Sequence, residues 1–177
     1  MIIRQAVFED AAAIARVHVD SWRTAYKGVI KEEVLAGLSV EQRTMNWQRQ
    51  LGPALDQTAV YVAETKEGDI VGFASGGPSR TQCLPYEGEL YAIYILDSYR
   101  RQGIGLQLMQ SIAVFLRDQG HDSMFLWALK DNRYRAFYEK WHGIASGDKL
   151  VQIGGEDYTE IAYGWDQLDK FIQFKQM

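Results

Sequence analysis

The chain has 177 residues, 47% of them hydrophobic and 24% charged, close to the average of globular domains. Nineteen Lys and Arg against 23 Asp and Glu leave a net charge of −4, which argues against nucleic acid as a partner. No apolar run approaches the roughly 18 residues of a membrane span, and the opening Met1-Ile2-Ile3-Arg4-Gln5 has neither the basic start nor the apolar stretch of a secretion signal. A lone cysteine, Cys83, can make no internal disulfide, which fits a reducing, cytoplasmic setting. With few prolines and no Ser-, Gly- or charge-rich run, the expectation is a single domain over 1–177.

Ile2 to Ala6 reads as a short strand. A helix follows, with Asp10 as its predicted N-cap, Ile14, Val17, Ser21, Trp22 and Ala25 at helical spacing, and Gly28 as its stop. Lys31 to Leu38 reads as a second short helix. Ser39 and Gln42 have the spacing of a capping box for a third, which carries Val40, Thr44, Trp47 and Leu51 on one face and ends at Gly52-Pro53. The period then shortens. Ala59–Ala63 and Ile70–Ala74 predict a hairpin around Lys66-Glu67-Gly68-Asp69, and Gly76 to Pro85 predicts a loop. Glu89 to Leu96 is a long apolar strand, Arg100 to Gly105 a glycine-rich turn, and Leu106 to Leu116 a strong helix closed by Gly120. Met124–Leu129 reads as a buried strand and Asn132–Trp141 as a helix. Leu150–Ile153 and Tyr158–Ala162 read as a last hairpin. This order is mixed α/β, and its lack of strict βαβ alternation disfavours a doubly wound nucleotide fold.

The segment from Glu89 to Gly105 carries the chemistry. It is a strand, a tight turn and a helix start, where several amide N–H groups lack partners and the peptide dipoles add partial positive charge. Gly103 and Gly105 lack the Cβ atoms that would hold a ligand off the backbone, and Arg100 and Arg101 add cations. The combination suits a phosphate-bearing ligand. A dinucleotide fingerprint would require glycine at position 108, which is Leu108, and no Gly-Lys-Ser/Thr of a P-loop occurs. The alternative is that the two glycines only shape the turn.

Arg100-Arg101-Gln102-Gly103-Ile104-Gly105 resembles the acyl-coenzyme A signature of the GCN5-related N-acetyltransferase (GNAT) superfamily, which reads Arg or Gln, two residues, Gly, one residue, Gly or Ala. Leu90–Ile95 looks like that family's fourth strand, Leu126–Leu129 like its fifth, and Asn132 with Phe137-Tyr138-Glu139-Lys140 like the loop and helix that follow. The resemblance implies a mostly antiparallel central sheet with one splayed strand pair, flanked by helices. It implies acetyl-coenzyme A as co-substrate, with its pyrophosphate on the amides of Arg101, Gln102, Gly103, Ile104 and Gly105 beside Arg100. Its pantetheine arm would lie along the Ile93-Tyr94-Ile95 backbone, like an added strand, and near Asn132. The implied activity is acetyl transfer to a primary amine of a small molecule, peptide or protein by direct attack. The alternative is a non-catalytic acyl-coenzyme A sensing module on the same fold.

Such a transfer needs a neutral amine, a base and a proton donor for the leaving sulfur. By the resemblance Glu89 is the candidate base, with Glu87 a substitute on the same face, and a solvent-facing strand-edge charge as the bland alternative. Tyr138 is the candidate donor. Its spacing from Asn132 is one residue shorter than the family's usual pattern, and an alignment anchored on Asn132 and Gly143 would put Glu139 there instead. Trp22 and Tyr26 are candidates for the acceptor pocket, whereas Trp47 reads as core. Acidic Glu156, Asp157 and Glu160 either attract a cationic amine or are solvated charges. His18, His121, His142 and Cys83 have no metal-ligand spacing, so no metal is expected. Pairing of two copies through exposed late strands is compatible with this reading.

Overall fold

The computed structural model describes residues 1–52 and 57–174. Pro53, expected to stop the third helix, lies outside them. The strands are β1 (Ile2–Gln5), β2 (Ala59–Glu64), β3 (Ile70–Pro78), β4 (Gly88–Ile95), β5 (Met124–Leu129), β6 (Ile144–Ile153) and β7 (Glu156–Trp165). The helices are α1 (Ala11–Ala25), α2 (Glu32–Ala36), α3 (Val40–Gln50), α4 (Ile104–Asp118), α5 (Ala136–Lys140) and α6 (Leu168–Ile172). All seven strands form one sheet in the order β1-β2-β3-β4-β5-β7-β6. Every neighbouring pair is antiparallel except β4 and β5. This is the mixed, mostly antiparallel sheet expected from the sequence.

Two apolar layers cover the sheet. The α4 face packs Leu108, Met109, Ile112 and Leu116 against Val71, Leu90, Met124 and Leu126. On the opposite face Ile14, Val17 and Trp47 close over Val60, Val62 and Phe73, which makes Trp47 the core residue its spacing predicts. Asp10 does not cap α1 with its side chain. Its carboxylate instead accepts from Arg4 and from the Val7 amide, tying β1 to the start of α1. Ser39 does cap α3 by accepting the Gln42 amide, while its own hydroxyl donates to Glu41.

Three elements differ from expectation. β3 runs on through Gly76, Gly77 and Pro78, where a loop is predicted. Glycine is required at position 76 because a Cβ there would lie 2.5 Å from Ile112 of α4 and 2.9 Å from the Glu89 carbonyl. The helix expected over Asn132–Trp141 is helical only at Ala136–Lys140, after a turn over 132–135. The last hairpin is longer at both ends than its apolar residues suggest, because most of β6 is exposed.

Candidate active site

Strands β4 and β5 pair only at Gly88↔Met124 and Glu89↔Phe125, then diverge. The divergence has a local cause. Ser75 pairs with Ala92 and Gly76 with Leu90, so Tyr91 is an extra residue in β4, a β-bulge. The bulge changes the alternation of faces. Leu90, Ile93 and Ile95 all pack toward α4, while Ala92 and Tyr94 face α1. Beyond the bulge the β5-facing edge of β4 has no strand partner. The Leu96 amide bonds Val71 on the β3 side, so by alternation Ile95 and Ile93 turn their backbone groups to the open edge. A cleft results, lined by Tyr91, Ile93 and Tyr94 of β4, by Trp127 and Ala128 of β5, and by Tyr26, Asn132 and Tyr138.

One end of the cleft meets the turn before α4. Gly103 sits at φ +81°, the left-handed region that glycine occupies without strain, and Arg101 shares that region at φ +59°. The amides of Arg101, Gln102, Gly103, Ile104, Gly105 and Leu106 donate to no acceptor among the described residues, and the first helical bond to the turn is Gln107 to the Gly103 carbonyl. With the α4 dipole behind them, these donors form an anion cradle. Gly105 has a different reason for being glycine. A Cβ there would meet the Phe137 ring at 2.9 Å, so it admits α5 rather than a ligand.

Arg100, expected beside the phosphate, is engaged by groups of the protein itself. Its Nε donates to the Ile95 carbonyl at 3.2 Å, its Nη1 lies 3.1 Å from Asp97, and its guanidinium stacks 3.8 Å from the centre of the Tyr134 ring. It closes the end of the open β4 edge and takes the carbonyl that Ile95 was expected to offer. Arg101 remains the exposed cation at the turn.

Asn132 and Tyr138 come together at the cleft. Asn132 Oδ1 accepts the Tyr134 amide at 2.9 Å, holding the turn before α5 and leaving its amide N–H groups as donors. Tyr138 is buried, and burial pushes its hydroxyl above the usual tyrosine range. Glu139, the alternative in the donor position, points elsewhere and accepts from the Tyr163 hydroxyl at 2.9 Å. Tyr26 lines the cleft, and burial raises its hydroxyl likewise. Trp22 stands behind it, edge-on at 5.1 Å, as a support and not a cleft wall.

Glu89 is neither a solvated edge charge nor a free base. It is buried, and its Oε2 accepts from the Arg80 amide (2.9 Å) and Nε (3.2 Å) while Oε1 accepts from Nη2 (2.6 Å). Arg80 lies in the connection after β3, and nothing in the sequence pattern marks it as a partner. Glu87 is likewise no substitute. It is exposed and accepts the Asp122 amide, tying down the entry to β5. The acids of the last hairpin are mostly paired: Glu156 with Lys31 at 2.9 Å and Glu160 with Lys149 at 3.3 Å.

A splayed strand pair ending on a cradle of unpaired amides defines a protein that binds an extended, phosphate-bearing ligand. The sequence profile of the acetyltransferase (GNAT) family matches residues 14–144, and the chain belongs to that family. It is 37% identical over 166 residues to YuaI of Bacillus subtilis, named an uncharacterized N-acetyltransferase, a match covering 94% of this chain and 93% of that protein. An N-acetyltransferase of Archaeoglobus fulgidus, also named uncharacterized, is 27% identical over 78% of this chain and 89% of its own. Among solved structures, the PaiA N-acetyltransferase of Thermoplasma acidophilum in complex with coenzyme A superposes with a TM-score of 0.69 at 18% identity, covering 90% of this chain and 96% of that one. The putative acetyltransferase YncA of Salmonella typhimurium, solved with acetyl-CoA, gives 0.68 at 18%, covering 100% and 96%. Among the described residues no helix is long and apolar enough to cross a membrane, and no group of metal-ligating side chains gathers.

Proposed function

We propose that this protein transfers the acetyl group of acetyl-coenzyme A to the nitrogen of a primary amine. The observation that carries the reading is the run of unpartnered amides from Arg101 to Leu106, opening directly onto the unpaired edge of β4. That geometry fits a diphosphate joined to an amide-bearing arm. When bound, acetyl-coenzyme A supplies an acyl group already activated as a thioester.

The turn amides hold the diphosphate, with Arg101 adding charge. The backbone of Ile93 pairs with the arm as an extra strand would, and Asn132 donates to it from the opposite wall. Tyr138 keeps its proton at neutral pH because burial disfavours the phenolate, so its hydroxyl serves as donor to the departing sulfur. The attacking nitrogen must be neutral, and its proton leaves through water, since both Glu89 oxygens are engaged by Arg80. The seat of Tyr138 beside Asn132 favours this catalytic reading over a sensing module.

Thiol release from acetyl-coenzyme A in the presence of amines tests the activity. Tyr138→Phe is expected to lower kcat by about 100-fold, within the usual range for general acid catalysis, with coenzyme A affinity unchanged. An unaltered kcat removes Tyr138 from the mechanism. Because burial raises the Tyr138 hydroxyl, the wild-type pH–rate profile should rise as the amine deprotonates and show no falling limb below about pH 10. The free edge of β6, with Ile144 and Leu150 exposed, further supports pairing between two copies, and a monomeric mass in solution would exclude it.

A further inference from the structure

Both walls of the cleft carry a cation on an aromatic ring. Tyr91 of β4 and Trp127 of β5 line opposite sides. The Arg80 guanidinium lies 4.0 Å from the centre of the Tyr91 ring, and Lys149 Nζ lies 4.2 Å from that of Trp127. Each cation also has a carboxylate partner, Glu89 for Arg80 at 2.6 Å and Glu160 for Lys149 at 3.3 Å. Because Tyr91 and Trp127 line one cleft, the two pairs flank it.

The four charges sum to zero, but they are not equally accessible. The Glu89 side chain is 4% exposed against 60% for Arg80, and Glu160 is 20% exposed against 45% for Lys149. In each pair the acid is the hidden member, so a solute approaching these pairs from solvent meets the positive ends. Arg80 is also fixed in advance. Glu89 holds its Nε and Nη2, Tyr91 covers one face, and the Tyr91 hydroxyl is itself anchored on the Pro78 carbonyl at 2.7 Å. The Nη1 edge of the fork has no partner among the described residues. An arginine immobilised in this way loses little side-chain freedom when it donates to a carboxylate, and its planar fork matches one.

We propose that Arg80, with Lys149, binds a carboxylate carried by the acceptor amine itself, so that the substrate is a small molecule of amino-acid type. Glu89 is then a positioning residue that acts through Arg80. The inference rests on the acetyl-transfer reading above and narrows its acceptor.

Thiol release is measured with a panel of L-amino acids and with the same compounds as carboxamides. The expected result is a kcat/KM about 10- to 100-fold higher for the carboxylates, expressed mainly in KM, as for a charged hydrogen bond made or lost. Arg80→Gln should bring the two series together, and Arg80→Lys, which keeps the charge without the fork, should retain part of the gap. Coenzyme A affinity, measured by calorimetry on each variant, should stay at the wild-type value, which separates lost acceptor recognition from misfolding. If Arg80→Gln does not fold, Arg80→Lys and Lys149→Gln carry the comparison. The proposal is overturned if carboxamides react as well as amino acids, or if the preference survives undiminished in the variants. It is also overturned if no amino acid in the panel is turned over or raises the melting temperature of the coenzyme A complex. Failure of the wild type to bind coenzyme A would instead overturn the transferase reading.

Discussion

Gly103 and Gly105 look alike in the sequence but serve different ends. Position 103 needs a positive φ, so Gly103→Ala is expected to cost roughly 1–2 kcal/mol of stability from backbone strain alone. Gly105→Ala places a methyl group against Phe137 and should cost about 1–3 kcal/mol by overpacking. Urea unfolding of both variants measures this, and an unchanged Gly105→Ala would mean that α5 shifts freely. The strand–glycine–helix pattern made the cradle legible. The second reason for Gly105 was not, because it depends on a ring from a distant helix. Arg80 was missed for a similar reason, since a single arginine in a loop gives no periodic signal and its partner Glu89 reads as a candidate base or an edge charge until the structure shows it buried against Arg80.

His18 has a consequence away from the site. It is enclosed by the rings of Trp22, Trp47, Phe73 and Tyr94, and its Nδ1 has no partner. Burial lowers its pKa from 6.5 to about 3, with the Arg43 charge acting in the same direction. The folded state therefore holds the imidazole neutral while the unfolded chain protonates it. Stability present above pH 6.5 is lost as the pH falls toward 3, about 2 kcal/mol of it by pH 5. Denaturant unfolding at pH 7 and pH 5 should show this loss in the wild type and not in His18→Phe. Equal losses in both would place the acid sensitivity elsewhere.

Among the elements, β4 organises the site. Its bulge at Tyr91 sends Leu90 and Ile93 to one layer and Ala92 and Tyr94 to the other. Excising Tyr91 would restore one-to-one pairing with β3 while leaving Leu90, Ala92 and Ile93 on their present faces, and would remove the irregularity at which β4 parts from β5. The deletion variant is expected to fold, as near-ultraviolet circular dichroism would report, but to bind coenzyme A at least about tenfold more weakly, while Tyr91→Ala keeps the bulge and the affinity. A folded deletion variant that binds coenzyme A like the wild type would refute the role given to the bulge. An apolar strand at Glu89–Leu96 was legible in its residues, but the extra residue was not, since a bulge does not interrupt an all-apolar run. β3 misled in the opposite sense. Gly76-Gly77-Pro78 has loop composition, yet it stays in the sheet because α4 crosses too closely for a side chain at position 76. α5 begins late because Asn132 turns the chain with its own side chain before the helix can form.

In the molecule as a whole, β1 to β4 and β5 to β7 are two parts of one sheet joined in register at Gly88 and Glu89 alone. A ligand that bridges them from the α4 turn to Asn132 contacts both, and should stabilise the fold by about 2.7 kcal/mol at a concentration one hundred times its Kd. The most direct test is calorimetric titration with coenzyme A and with pantetheine, which lacks the diphosphate, on the wild type and on Gly103→Val. The account predicts micromolar binding of coenzyme A, a Kd at least about tenfold weaker for pantetheine, and a similar loss in a Gly103→Val variant that still melts cooperatively. No heat of binding with millimolar coenzyme A, or pantetheine binding as tightly as coenzyme A, would contradict it.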